Sequence, residues 1–139
     1  MVDTLVIKRK LQKLSEYLDE LEAMRGISLE EYLGDFRNKR VVERLIQLIV
    51  DVAVDINTHI VVGAGKPAPS DAYTSFIEVA KLGVLTQELA CEIAPSAGER
   101  NIIVHEYEVI DDVIVFQSIG QTLEMYGRYI DAVLDYLKE

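Results

Sequence analysis

Residues 40–61, "RVVERLIQLIVDVAVDINTHIV", decide the fold. Val41, Leu45, Leu48, Val52 and Ile56, followed by His59 or Ile60, recur at steps of three and four. That spacing predicts one inward face of an α-helix over about 38–62. The run 45–62 has the length of a membrane span, but Gln47, Asp51, Asp55, Asn57 and His59 interrupt it. The pattern is that of a buried helix and not of a span.

Outward from this helix, the same periodicity returns on both sides. Ile7, Leu11, Leu14, Leu18, Leu21 and Met24 form one helical face, with Asp3 as N-cap and Gly26 past the end. "SLEE" (28–31) has the spacing of a capping box and opens a short helix or turn through Leu33. After Gly63, "GAGKPAPS" (63–70) breaks both helix and strand and reads as a loop. Ser70 or Asp71 caps a helix to about Leu82, with Gly83 following it, and Thr86 starts another that ends before Pro95. Asp111 or Asp112 caps a long last helix marked by Val115, Ile119, Leu123, Tyr126, Ile130, Val133, Leu134 and Leu137. Tyr126 and Tyr129, with Tyr136, are expected in the core. The expectation is an all-α antiparallel bundle of three long helices and several short ones, one domain over residues 1–139.

Bulk composition narrows the function. The net charge of −10 over 139 residues argues against a general nucleic-acid coat, since phosphate binding draws on positive charge. The basic clusters "IKRK" (7–10) and "RNKR" (37–40) read as solvated helix ends. Cys91 is the only cysteine, so no intrachain disulfide forms, and it reads as a reduced core thiol. The first residues, "MVDTLVIKRKLQKL", lack a leader pattern, and the expected location is the cytoplasm without membrane attachment.

One segment carries chemistry: "GERNIIVHEYEVIDD" (98–112). It holds Arg100, Asn101, His105 and Tyr107 within eight residues, and His105 is one of only two histidines in the chain. On an ideal helix Ile103, Val104 and Tyr107 share an arc with Arg100 near its middle, while Asn101 and His105 share a neighbouring face. An arginine on an apolar arc needs a partner, and Asp51 and Asp55 on the middle helix are the candidates. Asp55 and His59, four apart, place a carboxylate beside an imidazole, and the plain reading is a polar patch that fixes helix register.

Cleaving RNA without a metal requires proton removal from the 2′-OH, charge stabilisation on the phosphorane and a proton for the leaving oxygen. Histidine suits the proton transfers near neutrality, and arginine is a permanent fork for phosphate oxygens. On an ideal helix Arg100 and His105 stand about 140° apart. One copy is therefore poorly arranged unless the helix unwinds near His105, whereas two copies across a dimer axis can face one bond. No zinc-binding spacing, phosphate loop or nucleophile elbow is present, so no metal or cofactor is expected.

These residues also resemble a known family. "RNIIVHEY" (100–107) is similar to the Arg-x4-His-x-Tyr signature of HepT-like proteins, the toxins of HEPN/MNT toxin–antitoxin modules. Residues 40–61, "KPAPSDAYTSFIEVAKLGVLTQELACEIAP" (66–95) and "HEYEVIDDVIVFQSI" (105–119) resemble the family in order, so the likeness covers nearly the whole chain. It implies a HEPN-like bundle and a metal-independent endoribonuclease, with Arg100 and His105 catalytic in a homodimer cleft and Asn101 accessory in RNA binding. It also implies an MntA-like nucleotidyltransferase antitoxin that adenylylates Tyr107. Glu99 departs from the family pattern and is expected to pair with Arg100 and weaken phosphate binding. The alternatives are a non-enzymatic docking module for a nucleotidyltransferase, or a structural dimer whose polar ribbon is interface glue.

Overall fold

Side chains placed at the helix starts set the architecture. Asp3 accepts the Val6 amide at 3.2 Å and opens α1 (Thr4–Ala23). Ser28 and Glu31 close the capping box, at 3.1 and 3.2 Å, at the head of α2 (Leu29–Gly34). Asp35 accepts the Arg37 amide at 2.9 Å and starts α3 (Phe36–Gly63) two residues before the apolar spacing predicts. Asp71 and Thr86 cap α4 (Ala72–Lys81) and α5 (Gln87–Ile93), and Gly83, at φ +86°, supplies the left-handed turn between them. After α6 (Ser96–His105) and a 3-10 turn (Tyr107–Val109), Asp111 caps α7 (Asp112–Leu137). The computed structural model describes residues 2–138, and no strand occurs among them.

The three long helices are α1, α3 and α7, with 20, 28 and 26 residues. Lys10, early in α1, pairs with Asp55, late in α3, at 2.5 Å, so these two helices are antiparallel. Lys39 at the head of α3 pairs with Asp112 at the head of α7, at 3.3 Å. Farther along, the Tyr129 hydroxyl donates toward the Ala53 carbonyl and Asn57 Oδ1, at 3.1 and 2.6 Å. The helices α3 and α7 therefore run the same way. α3 is long and apolar enough by composition to cross a membrane, yet it is the central helix, touched by α1, α2, α4, α6 and α7.

Its inward face differs from the expected one. Leu45, Ile56 and Ile60 are buried as expected, but Val42, Ile46, Ile49 and Ala53 are buried with them, while Val41 is 44 % exposed and Leu48 and Val52 are half-buried. The helix is turned by about one residue, roughly 100°. Apolar side chains hold 14 of the 22 positions of 41–62, so periodicity alone leaves the rotation open and packing against the neighbouring helices fixes it. On α7 the departure is smaller: Tyr126, Tyr129 and Val133 are buried as expected, Thr122 and Met125 join them, and Leu134 is exposed. Cys91 is not a core thiol. It lies on the outer side of α5, exposed, because Leu89, Ala90 and Ile93 take the inner side.

Asn57 is the polar residue that locks α3 in place. It is fully buried, accepts from Tyr129 and donates to Ser75 Oγ at 3.0 Å, tying α3 to α7 and α4. Burial pushes the Tyr129 phenol well above its ordinary pKa, so it stays a neutral donor. Replacing Asn57 with alanine leaves two buried hydroxyls short of a partner and is expected to cost about 1–3 kcal/mol. A fall in the urea midpoint at constant m-value is the expected reading. An unchanged midpoint would show that the network contributes nothing to stability.

Candidate active site

Helix α6 carries most of the motif and is pinned along one side to α7. The Ser96 hydroxyl lies 2.7 Å from the Tyr126 hydroxyl and donates to the Ile93 carbonyl at 2.6 Å. One turn later the Ser118 hydroxyl sits 2.8 Å from Glu99 Oε1. Ser96 meets the later Tyr126 and Glu99 the earlier Ser118, so α6 runs antiparallel to α7 and therefore to α3. The helix ends at His105. The Glu106 amide still reaches the Ile102 carbonyl at 2.9 Å, but the Glu106 backbone has left the helical region at φ −125° and ψ 42°.

Arg100 faces α3 and pairs with Asp51. Its Nε donates to Oδ1 at 2.8 Å and its Nη2 to Oδ2 at 3.4 Å, a side-on grip that fixes the plane of the guanidinium. Its Nη1 also donates to Asn101 Oδ1 at 3.3 Å. Of the five guanidinium N–H groups, three are engaged, and the remaining two are available to an anion. Only 22 % of the Arg100 side chain is exposed. The other expected partner, Asp55, is committed to Lys10 and lies 3.7 Å from His59 Nε2. The polar pair on α3 is therefore present, on the outside of the helix.

Two expectations about the ribbon are corrected. Glu99 does not pair with Arg100, because neighbouring residues on a helix diverge by about 100°. Arg100 turns to α3 and Glu99 to α7, where its partner is Ser118. Tyr107 does not share the buried arc, because α6 stops before it. It is 71 % exposed at the head of the 3-10 turn. Asn101 and His105 are exposed on the outer side of α6. Since α6 is regular through residues 100 to 105, a single chain keeps Arg100 and His105 on different sides of it.

Local electrostatics around the ribbon are acidic. Glu106 and Glu108 flank Tyr107, and Asp111 and Asp112 follow. On the side away from α3, Pro95, Ile102, Val109, Ile110 and Ile114 line an apolar groove of about 450 Å³. Ser118 and Asp35 were not picked out by the sequence reading. Asp35 had a legible signal, an N-cap residue before a helix, but Ser118 had none, since its partner lies on another element.

An all-helical bundle that presents a clamped arginine, an amide, an exposed imidazole and an exposed phenol on one ribbon is the architecture expected of HEPN nucleases. The family model described as ribonuclease HepT-like matches residues 14–133, and the chain belongs to this family. A relative named tRNA nuclease HepT, from Aphanizomenon flos-aquae, is 40 % identical over 136 residues, covering 98 % of this chain and 92 % of the relative. One named mRNA nuclease HepT, from Shewanella oneidensis, is 24 % identical over 128 residues, covering 92 % of this chain and 96 % of the relative. Among solved structures, a tri-AMPylated Shewanella oneidensis HEPN toxin in complex with an MNT antitoxin superposes with a TM-score of 0.86 at 24 % identity. It covers 97 % of this chain and 99 % of that one.

Glu99 gives the site a pH signature. Burial pushes its carboxyl above the ordinary value of 4.5, and the Ser118 hydroxyl offsets this only in part. A raised folded-state pKa means that Glu99 contributes most stability when protonated, below 4.5, and loses it as pH rises through the raised value. Glu99→Gln is therefore expected to raise the melting temperature at pH 7, with the gain shrinking to nothing near pH 4. A gain that is equal at both pH values would contradict this assignment.

Proposed function

We propose that this protein is the toxin of a HEPN/MNT pair, a metal-independent endoribonuclease acting in the cytoplasm as one domain over residues 1–139. The observation that carries the reading is the Asp51-clamped Arg100, with two free donors beside Asn101 on the ribbon that ends in exposed His105 and Tyr107. Names of the relatives support the chemistry, and the AMPylated toxin bound to its antitoxin supports the regulation.

The reaction uses the substrate's own nucleophile. A base removes the 2′-OH proton, the 2′-oxygen bonds to the adjacent phosphorus, and the bond to the 5′-oxygen breaks as that oxygen takes a proton. The products are a 2′,3′-cyclic phosphate and a 5′-hydroxyl. Arg100 stabilises the phosphorane oxygens with a fork that Asp51 has already oriented, so little reorganisation is needed at the moment of reaction. Asn101 assists in holding the strand. His105 moves one proton. The second proton step falls to the His105 of a second copy, which makes the homodimer part of the site.

Tyr107 is the control point. In the partner nucleotidyltransferase, its phenol oxygen attacks the α-phosphorus of ATP, pyrophosphate leaves, and the phenol proton is lost to solvent. The exposed ring needs no rearrangement to be reached. Added phosphates and adenine then occupy the space beside Arg100 that RNA would take.

RNA cleavage in EDTA by unmodified protein, its intact mass checked, tests the reading. Arg100→Ala is expected to slow cleavage by about 10²–10³-fold and His105→Ala by about 10²–10⁴-fold, both remaining helical. Asp51→Asn should lower the rate with little change in KM, because it loosens Arg100 without removing it. Tyr107→Phe should still cut RNA and should no longer accept AMP. A clean wild type that cuts nothing would favour the docking-module reading instead.

A further inference from the structure

Along α6, Glu99, Ile102 and His105 follow one another at steps of three, so each lies about 5–6 Å from the next at Cβ. Ile102 therefore joins the exposed imidazole to the apolar groove between α6 and the start of α7. Ile102, Val109 and Ile114 are exposed apolar walls of that groove, and Gly98 adds no side chain beside Ile102. Glu99 lines the same groove, and the Ser118 hydroxyl at 2.8 Å takes its Oε1. Among the described residues Oε2 has no hydrogen-bond partner, and neither oxygen meets a cation. A half-buried carboxylate in this state weakens the fold near neutral pH. A cost of that kind is retained where the group serves a ligand.

We propose that this groove is a base-reading subsite that takes guanine from the RNA strand, on the nucleotide whose 2′-oxygen attacks. The inference rests on the nuclease reading of the ribbon and adds a sequence preference to it. An open acceptor between apolar walls suits a planar guest that carries N–H groups on its edge. Guanine is the base with two adjacent donors, N1–H and the N2 amino group. An ionised carboxylate only accepts and has about four lone-pair sites, so Oε2 and the open side of Oε1 take both donors. Adenine and cytosine set a ring acceptor beside their amino group, which would face a carboxylate lone pair. Uracil has one N–H between two carbonyl oxygens, and these repel the carboxylate. Asp111 also lines the groove, so phosphate is repelled from it and the strand enters by its base.

Continuity with the ribbon fixes which base is read. His105, Ile102 and Glu99 follow one another around α6 at steps of about 60°. That is the order of ribose, base face and base edge in one nucleoside. His105 and Glu99 are about 10 Å apart at Cβ, and both side chains reach inward over Ile102. With the 2′-OH at His105, the base on the same ribose lies over Ile102 and turns its donor edge to Glu99. Glu99 is thus a specificity residue: it touches the base and takes no part in the proton transfers.

The test uses unmodified full chain, EDTA, and 2′-O-methylated oligonucleotides with one free 2′-OH, so that a single bond can be cut. Guanine, hypoxanthine (guanine without its amino group), adenine, cytosine and uracil are placed in turn on that nucleotide. Binding is measured in parallel with counterparts that lack the 2′-OH and cannot be cut. Wild type is expected to favour guanine by about tenfold or more in both kcat/KM and Kd, and to lose most of this with hypoxanthine. Glu99→Gln should still cut the poorer substrates at the wild-type rate but show no preference for guanine. Ile114→Asp, on the α7 wall and away from the reacting groups, should lose the preference as well. Cleavage or binding indifferent to that base, or a preference untouched by either variant, would overturn the subsite and leave the nuclease reading in place. Base-dependent binding by a wild type that never cuts would keep the subsite and remove the nuclease. No binding of any oligonucleotide would overturn both. Disruption of an assembly by Ile114→Asp would make the groove a protein contact, and the subsite would fall.

Discussion

With 22 % of its side chain exposed, Arg100 sits in the seam between α6 and α3, where a guanidinium left unpaired would be strongly disfavoured. Asp51 meets that requirement from a neighbouring helix, and much of the local arrangement follows. To bring Arg100 to Asp51, α6 must lie antiparallel on α3. The next residue toward the N-terminus, Glu99, is then turned by about 100° and has to find a partner on α7. Among the described residues it finds only Ser118, so a half-buried carboxyl is left with one hydroxyl and no cation. α6 works as a wedge: consecutive polar residues serve two different neighbours, and the residue beside Arg100 is kept from neutralising it.

Polar residues on α3 divide by depth into two kinds of work. Asn57 faces inward and is satisfied on both ends of its amide, by Tyr129 and Ser75, so it admits only one rotation and one height of α3 against α7 and α4. Asp51 and Asp55 face outward and keep open lone pairs while holding Arg100 and Lys10. The register-fixing role that the sequence suggests for Asp55 and His59 belongs to Asn57, two residues on from Asp55 and turned into the core. Surface ion pairs of the Asp55 kind contribute little to stability.

Helix ends were legible because their causes are local. Asp3, Ser28, Asp71, Thr86 and Asp111 each cap the helix that their type and position predict. The rotation of α3 was not legible, because Val41 and Val42, or Leu48 and Ile49, are equally apolar. The choice between them is made by α1 and α7, elements distant in sequence. Cys91 shows the same limit: a lone cysteine in an apolar setting is usually buried, but a seven-residue helix has an outer side and Cys91 is on it. For the site, spacing named Asp51 as a possible partner of Arg100 but could not exclude Asp55. The placement of Tyr107 depended on where α6 stops, which an ideal helix does not reveal.

An acidic protein that acts on RNA cannot rely on a broad positive field. Its net charge is −10, and Lys10, Lys39, Arg37, Arg40 and Arg128 are each paired with an acid on the protein itself. On the proposed reading, recognition then depends on a few oriented donors at close range, chiefly the two that Arg100 has free, and long-range attraction contributes little. Such a site is easily silenced. Tyr107 already stands between Glu106 and Glu108, so on that reading each AMP transferred to it would add negative charge and bulk to an acidic turn. On the proposed reading, modification of a single side chain can control the enzyme without any change in fold, because the acidic surroundings leave RNA binding dependent on so small a part of the surface.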